Sequence, residues 1–165
     1  MEKIDRIIVN RILNIIYNTM CKIVKPDIVL SDVTKLDKKM IDKVKEKYGI
    51  EGIILDVDKT IRKNLKPIPE KNKEWINDIK NTIKIVVLTN GIDKNIEKYF
   101  RTLKIDYIGF AKKPLSKNFI EACKKMNVPP EKVLVVGNNF ITDIYAGRLN
   151  EMKTAIVKKV ENDYR

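Results

Sequence analysis

The run Gly52-Ile53-Ile54-Leu55-Asp56-Val57-Asp58-Lys59-Thr60-Ile61 sets an apolar, largely β-branched stretch directly before two carboxylates. Such a stretch reads as a strand buried on both faces, of the kind found in parallel sheets flanked by helices. Open sheets of that kind bind ligands at the carboxyl ends of their strands. Residues two apart on an extended chain point to the same side, so Asp56 and Asp58 present their carboxylates together, with Thr60 just beyond. Two like charges so placed repel unless a cation or a proton is shared, and each is costly to leave unpaired near a buried sheet. The pattern calls for a metal or a proton transfer.

Downstream, hydrophobic periodicity alternates between strand and helix. It predicts strands over 53–57, 83–88, 107–110, 133–136 and 154–157, with helices over 70–80, 94–103, 116–126 and 142–148. The expected fold is α/β, a doubly wound, Rossmann-like parallel five-stranded sheet with helices on both faces. Four polar clusters fall just after strand ends, where such a fold builds its site: Asp56-Val57-Asp58-Lys59-Thr60, Thr89-Asn90-Gly91, Lys112-Lys113-Pro114 and Gly137-Asn138-Asn139-Phe140-Ile141-Thr142-Asp143.

Upstream, residues 3–24 carry apolar side chains at Ile4, Ile7, Ile8, Ile12, Ile15, Ile16, Met20 and Ile23, one face of a helix, with Arg6, Arg11, Lys22 and Lys25 on its basic flanks. No uncharged run approaches the roughly 18 apolar residues a membrane span needs, and Asp5, Arg11 and Asn14 interrupt any signal-peptide core. The helix can pack on the domain, pair with a second copy, or lie on an anionic bilayer. Lys25-Pro26-Asp27 ends it; Ile28-Val29-Leu30 reads as a short extended piece, and a helix over 36–48 closes at Gly49. Residues 1–25 are thus expected to form a basic amphipathic helix and 26–165 a single domain.

At 165 residues there is room for one ordinary core. The absence of histidine excludes His-based triads and His-ligated zinc, so the chemistry runs on carboxylates, hydroxyls and lysines. Cys21 and Cys123 belong to no paired motif and read as reduced thiols of a cytosolic protein. A formal charge of +12 favours phosphorylated or polyanionic partners. Few aromatics and no Gly-rich or Arg-rich tract argue against a dedicated nucleic-acid module.

The four clusters, in this order, resemble those of the haloacid dehalogenase-like (HAD) phosphatases: DxDxT after the first strand, Ser or Thr after the second, a later Lys, and GDxxxTD after the fourth. The likeness is greatest to the YqeG-like subgroup of subclass IIIA, which includes mitochondrial phosphatidylglycerophosphate phosphatases, and it extends upstream through residues 26–34 and Gly49-Ile50-Glu51-Gly52-Ile53. The resemblance implies a Mg²⁺-dependent phosphomonoester hydrolase in which Asp56 is the nucleophile, forming an aspartyl-phosphate, and Asp58 the general acid and base. It implies phosphate contacts from Thr60, Thr89, Asn90 and Lys113. Lys113 is chosen over Lys112 because the family lysine precedes proline. Metal ligands would come from Asp56, the Asp58 carbonyl, Asn138 and Asp143. Asn138 departs from the family's Asp; it still offers an oxygen but no charge, which weakens Mg²⁺ binding.

No segment between the clusters is long enough for a cap domain, so an open site is expected, suited to a phosphate displayed on something large. Phosphatidylglycerophosphate at the inner membrane face is the first expectation, from a cytoplasmic protein making peripheral contact with anionic phospholipid through residues 3–24. A soluble phosphorylated metabolite, or phosphate or RNA binding without turnover, are the alternatives.

Overall fold

The computed structural model describes residues 3–158, excepting the side chains of residues 3, 4, 21 and 23. The expectation for the Cys21 thiol and residues 159–165 of the expected domain lie outside the described residues. In chain order the elements are α1 (Lys3–Ile23), β1 (Ile28–Leu30), α2 (Lys38–Tyr48), β2 (Gly52–Leu55), α3 (Glu70–Ile79), β3 (Lys84–Leu88), α4 (Lys94–Thr102), β4 (Asp106–Ile108), α5 (Lys117–Met126), β5 (Val133–Gly137), α6 (Ala146–Leu149) and β6 (Lys153–Val157).

One sheet runs β1-β6-β5-β2-β3-β4 with every neighbouring pair parallel. It has six strands rather than the expected five, because the Ile28–Leu30 piece pairs with β6 at the edge. The alternation of side chains along β2 divides the core. Ile53 and Leu55 face one layer with Trp75 of α3 and Phe100 of α4, whereas Ile54 faces Phe119, Cys123 and Met126 of α5. Cys123 is a buried free thiol.

Strand β2 lies between β3 and β5, so the chain leaves it in one direction and later returns on its other side. That switch point, the place where open sheets bind their ligands, lies at the carboxyl ends of β2 and β5, which carry Asp56 and Asn138. The expected helix over 142–148 is divided. Asn139 accepts hydrogen bonds from the Ile141 and Thr142 amides, residues 140–145 wind as a wide π-type turn, and α6 follows. The wider turn carries Asp143 back under the end of β5, a local unwinding of the sort found at functional sites.

Helix α1 has the expected extent, but its apolar face is not covered by the domain. Ile7, Ile8, Ile12, Leu13, Ile15 and Ile16 stand about half exposed. Tyr17 packs edge-on against Phe140, ring centroids 5.8 Å apart, which ties the helix to the loop after β5. Among the described residues, no helix is long and apolar enough to cross a membrane.

Candidate active site

Each strand-end cluster contributes a side chain to one buried polar centre. Asp56 still belongs to the ladder, its amide donating to the Val136 carbonyl at 3.0 Å, so its carboxylate is fixed by backbone. Lys113 is buried and its Nζ donates to Asp56 Oδ1 at 2.9 Å and to Asp143 Oδ1 at 2.5 Å. Asp143 is held at its other oxygen, Oδ2, by the Asn139 amide at 3.1 Å. Gly137 makes room for this: a Cβ there would stand 2.3 Å from Asp143 Cγ.

Burial, followed by the Asp56 charge, pushes the Asp143 carboxyl up to about 6, against the opposing pull of Lys113. Burial alone would lower the Lys113 ammonium, but the charges of Asp143 and Asp56 outweigh it and hold its pKa above the ordinary value. The lysine therefore stays charged beside Asp56. Lys112 is exposed, its Nζ lying 5.3 Å from the centre of the Phe110 ring, so the structure brings Lys113 and not Lys112 to the carboxylates.

Thr60, expected among the phosphate contacts, is buried, and its hydroxyl lies 3.0 Å from Asp56 Oδ2 and 3.4 Å from Asn138 Oδ1. The hydroxyl thus sits between the two oxygens. Thr89 is buried at the end of β3 and accepts from the Gly91 amide at 3.2 Å, leaving its own proton available to an incoming oxygen. Asn90 uses both ends of its side-chain amide on the Lys113 backbone, accepting from the amide at 2.7 Å and donating to the carbonyl at 3.1 Å. It clamps the lysine loop to the Thr89 loop.

Asp58 is bound asymmetrically. Its Oδ1 accepts from Arg62 Nε at 2.8 Å and from the Leu65 amide at 3.2 Å. Its Oδ2 faces the Thr89 loop, 3.3 Å from where a Gly91 Cβ would stand. Arg62 is buried and reaches on to Asp93 Oδ2 at 2.8 Å, holding the Asp93 carboxyl below its ordinary pKa. Sequence reasoning missed Arg62. Its only trace there is the spacing of four from Asp58.

The donors at the switch point are all oxygen: Asp56 Oδ2 and Asn138 Oδ1 converge on one hydroxyl. Among the described residues, no group of three or more acidic, Cys or His side chains is gathered for a metal, since Asn138 is neutral and Asp143 is committed to Lys113 and Asn139. The set suits a hard, oxygen-preferring ion that keeps several waters, and it supplies less charge than a carboxylate cluster would.

Residues 25–149 match the family model of haloacid dehalogenase-like hydrolases. The chain is 31% identical over 124 residues to Probable phosphatase YqeG of Bacillus subtilis (strain 168), covering 72% of this chain and 70% of that protein. Among solved structures it is similar to an uncharacterized protein from Corynebacterium glutamicum (TM-score 0.55, 15% identity, 67% of this chain and 87% of that one). It is also similar to 3-deoxy-D-manno-octulosonate 8-phosphate phosphatase from Moraxella catarrhalis (TM-score 0.53, 13% identity, 74% and 85%). Both likenesses speak to the fold. With its six-stranded parallel sheet and its match over most of its length, the chain belongs to the haloacid dehalogenase-like hydrolases and is a phosphatase similar to YqeG.

Proposed function

We propose that the phosphatase works through an aspartyl-phosphate on Asp56, aided by Mg²⁺, on a phosphomonoester displayed at a membrane surface. The observation that carries this reading is the Lys113 ammonium fixed 2.9 Å from Asp56 Oδ1. A cation so placed offsets charge on the nucleophile and on the arriving phosphoryl group at once. Asp56 attacks phosphorus, the bond to the leaving alkoxide breaks, and Asp58 Oδ2 delivers the proton to that oxygen. Asp58 then takes a proton from the water that releases phosphate from Asp56. Arg62 and the Leu65 amide keep Asp58 Oδ1 in place throughout, and the Thr89 hydroxyl and neighbouring amides receive phosphate oxygens.

Asp56, the Asp58 carbonyl and Asn138 would hold Mg²⁺, with Asp143 acting through water. Bound there, the ion would neutralise phosphate charge. The Moraxella phosphatase is described in complex with magnesium and phosphate ions, which supports the same requirement here.

The open site and the uncovered face of α1 support this substrate class. Residues 56–69, between β2 and α3, hold no further helix or strand, and α4 and β4 occupy the interval from Thr89 to Lys113. Among the described residues, no cap closes over a small molecule. Phosphatidylglycerophosphate fits this reading, with α1 lying on the anionic surface. The neutral Asn138 supports the competing reading of phosphate binding without turnover. Phosphate release from phosphatidylglycerophosphate in mixed micelles and from a soluble aryl phosphate separates them. Lipid-preferring release that Asp56→Asn abolishes is expected. Asp56-dependent release from the aryl ester alone would shift the substrate to a soluble metabolite, and none from either would leave the binding reading.

A further inference from the structure

The loops that carry the catalytic residues also display large apolar side chains to solvent. Leu65, Ile92, Phe110 and Leu115 are 76%, 72%, 59% and 62% exposed. Each is tied to the site by backbone. The Leu65 amide binds Asp58, Ile92 adjoins Gly91, the Phe110 amide donates to the Gly91 carbonyl at 3.1 Å, and Leu115 closes a turn on Lys112 at 3.0 Å. All four stand on loops that follow the carboxyl ends of β2, β3 and β4.

Two of the four stand in an unfavourable backbone conformation. Leu65 has φ of 58° and Phe110 of 50°, the left-handed region that glycine or asparagine adopts at little cost and that bulky residues avoid. At both positions a large apolar side chain stands in water on a backbone conformation that bulky residues avoid. The same segments carry the exposed lysines Lys59, Lys66, Lys94 and Lys112, and the Lys112 ammonium lies 5.3 Å from the centre of the Phe110 ring.

We propose, building on the phosphatase reading above, that this rim is a second membrane contact, distinct from α1. Leu65, Ile92, Phe110 and Leu115 enter the acyl layer of an anionic phospholipid surface while the lysines meet its headgroups, so the lipid itself closes the site against water. An apolar protein groove would give the four lysines nothing to pair with. A nucleic acid would pair with them but leave three aliphatic side chains unused, because Phe110 alone could stack on a base. An anionic lipid layer meets both demands. The Tyr17 contact with Phe140 sets α1 at the same end of the sheet, so helix and rim can engage one surface.

The test uses the full chain and sucrose-loaded vesicles of phosphatidylcholine with phosphatidylglycerol. Wild type should sediment with them, and I92S/F110S/L115S should bind about tenfold more weakly or worse, with its Asp56-dependent hydrolysis of a soluble aryl phosphate unchanged. Equal binding by the two proteins, or no binding by wild type, overturns the proposal. A second measurement isolates the rim from α1. Phe110→Trp should be quenched by phosphatidylglycerol brominated on its acyl chains, whereas the buried Trp75 of wild type is not; an unquenched Trp at 110 refutes insertion. Quenching in a protein without any aryl phosphatase activity would uphold the docking surface while refuting the phosphatase reading.

Discussion

Arg62 is the residue whose removal should be most informative. Its guanidinium joins Asp58, read as the general acid and base, to Asp93, the N-cap of α4, and both bonds are 2.8 Å long. Arg62→Met keeps the buried stem and deletes the charge. Removing one partner of a buried ion pair costs about 3–5 kcal/mol. Here the carboxylate side chains remain 24% and 26% exposed and regain some water, so about 2–4 kcal/mol is expected. For a chain of this size that lowers Tm by roughly 5–15 °C. A double-mutant cycle with Asp93→Asn should give a coupling of about 1–2 kcal/mol in urea unfolding.

The kinetic consequence follows from what Arg62 holds. With Asp58 adrift, protonation of the leaving oxygen suffers, which matters for an alkyl phosphate and little for an aryl phosphate whose leaving group needs no proton. We expect kcat on alkyl esters to fall about a hundredfold, with a loss on aryl esters under about fivefold; Arg62→Lys, which restores charge without the planar fork, should recover part of each. Equal losses on both substrate types, or unfolding within about 0.5 kcal/mol of wild type, would refute the positioning role assigned to Arg62.

Three further outcomes follow from the same geometry. Gly137→Ala would force the Asp143 carboxylate off Lys113, since the new carbon would stand 2.3 Å from Asp143 Cγ; urea unfolding should show a loss of about 3 kcal/mol or more, with activity lost alongside. Because the folded Asp143 carboxyl sits near 6, above its value of 3.8 in the open chain, the folded state binds the extra proton. In the absence of divalent ions its cost is present above about pH 6 and is relieved as pH falls toward 4, so wild-type Tm should rise across that window relative to Asp143→Asn. Asn138→Asp adds a charged oxygen beside Asp56 and should lower the Mg²⁺ concentration for half-maximal activity about tenfold in a metal titration.

Much of this site could be read from the chain because strand ends are legible. The apolar run before Asp56 and the recurrence of polar clusters after successive strands place Asp56, Thr89, Lys113 and Asp143 at one end of a sheet. What was not legible is local geometry without a sequence period. Ile28–Leu30 reads as extended, but three residues, one of them exposed, are too few to announce its pairing with β6 at the sheet edge. The π-type turn over 140–145 has the composition of a helix start, and only the Asn139 cap and the reach of Asp143 to Lys113 distinguish it. The place of the Thr60 hydroxyl between Asp56 and Asn138 is likewise a matter of local geometry that the motif alone does not give. Left-handed conformations at Leu65 and Phe110 leave no mark in sequence, because these are residues that ordinarily avoid them.

Covalent chemistry at Asp56 is what the proposed mechanism stands on. The most direct measurement is to mix the protein with Mg²⁺ and a radiolabelled phosphomonoester, quench in acid during turnover, and map retained label to its peptide. Acid-stable, base-labile label is expected on the peptide holding residues 52–61, absent in Asp56→Asn, together with a loss of turnover of roughly a thousandfold or more in that variant. Turnover that persists in Asp56→Asn, or label on any other residue, would contradict it.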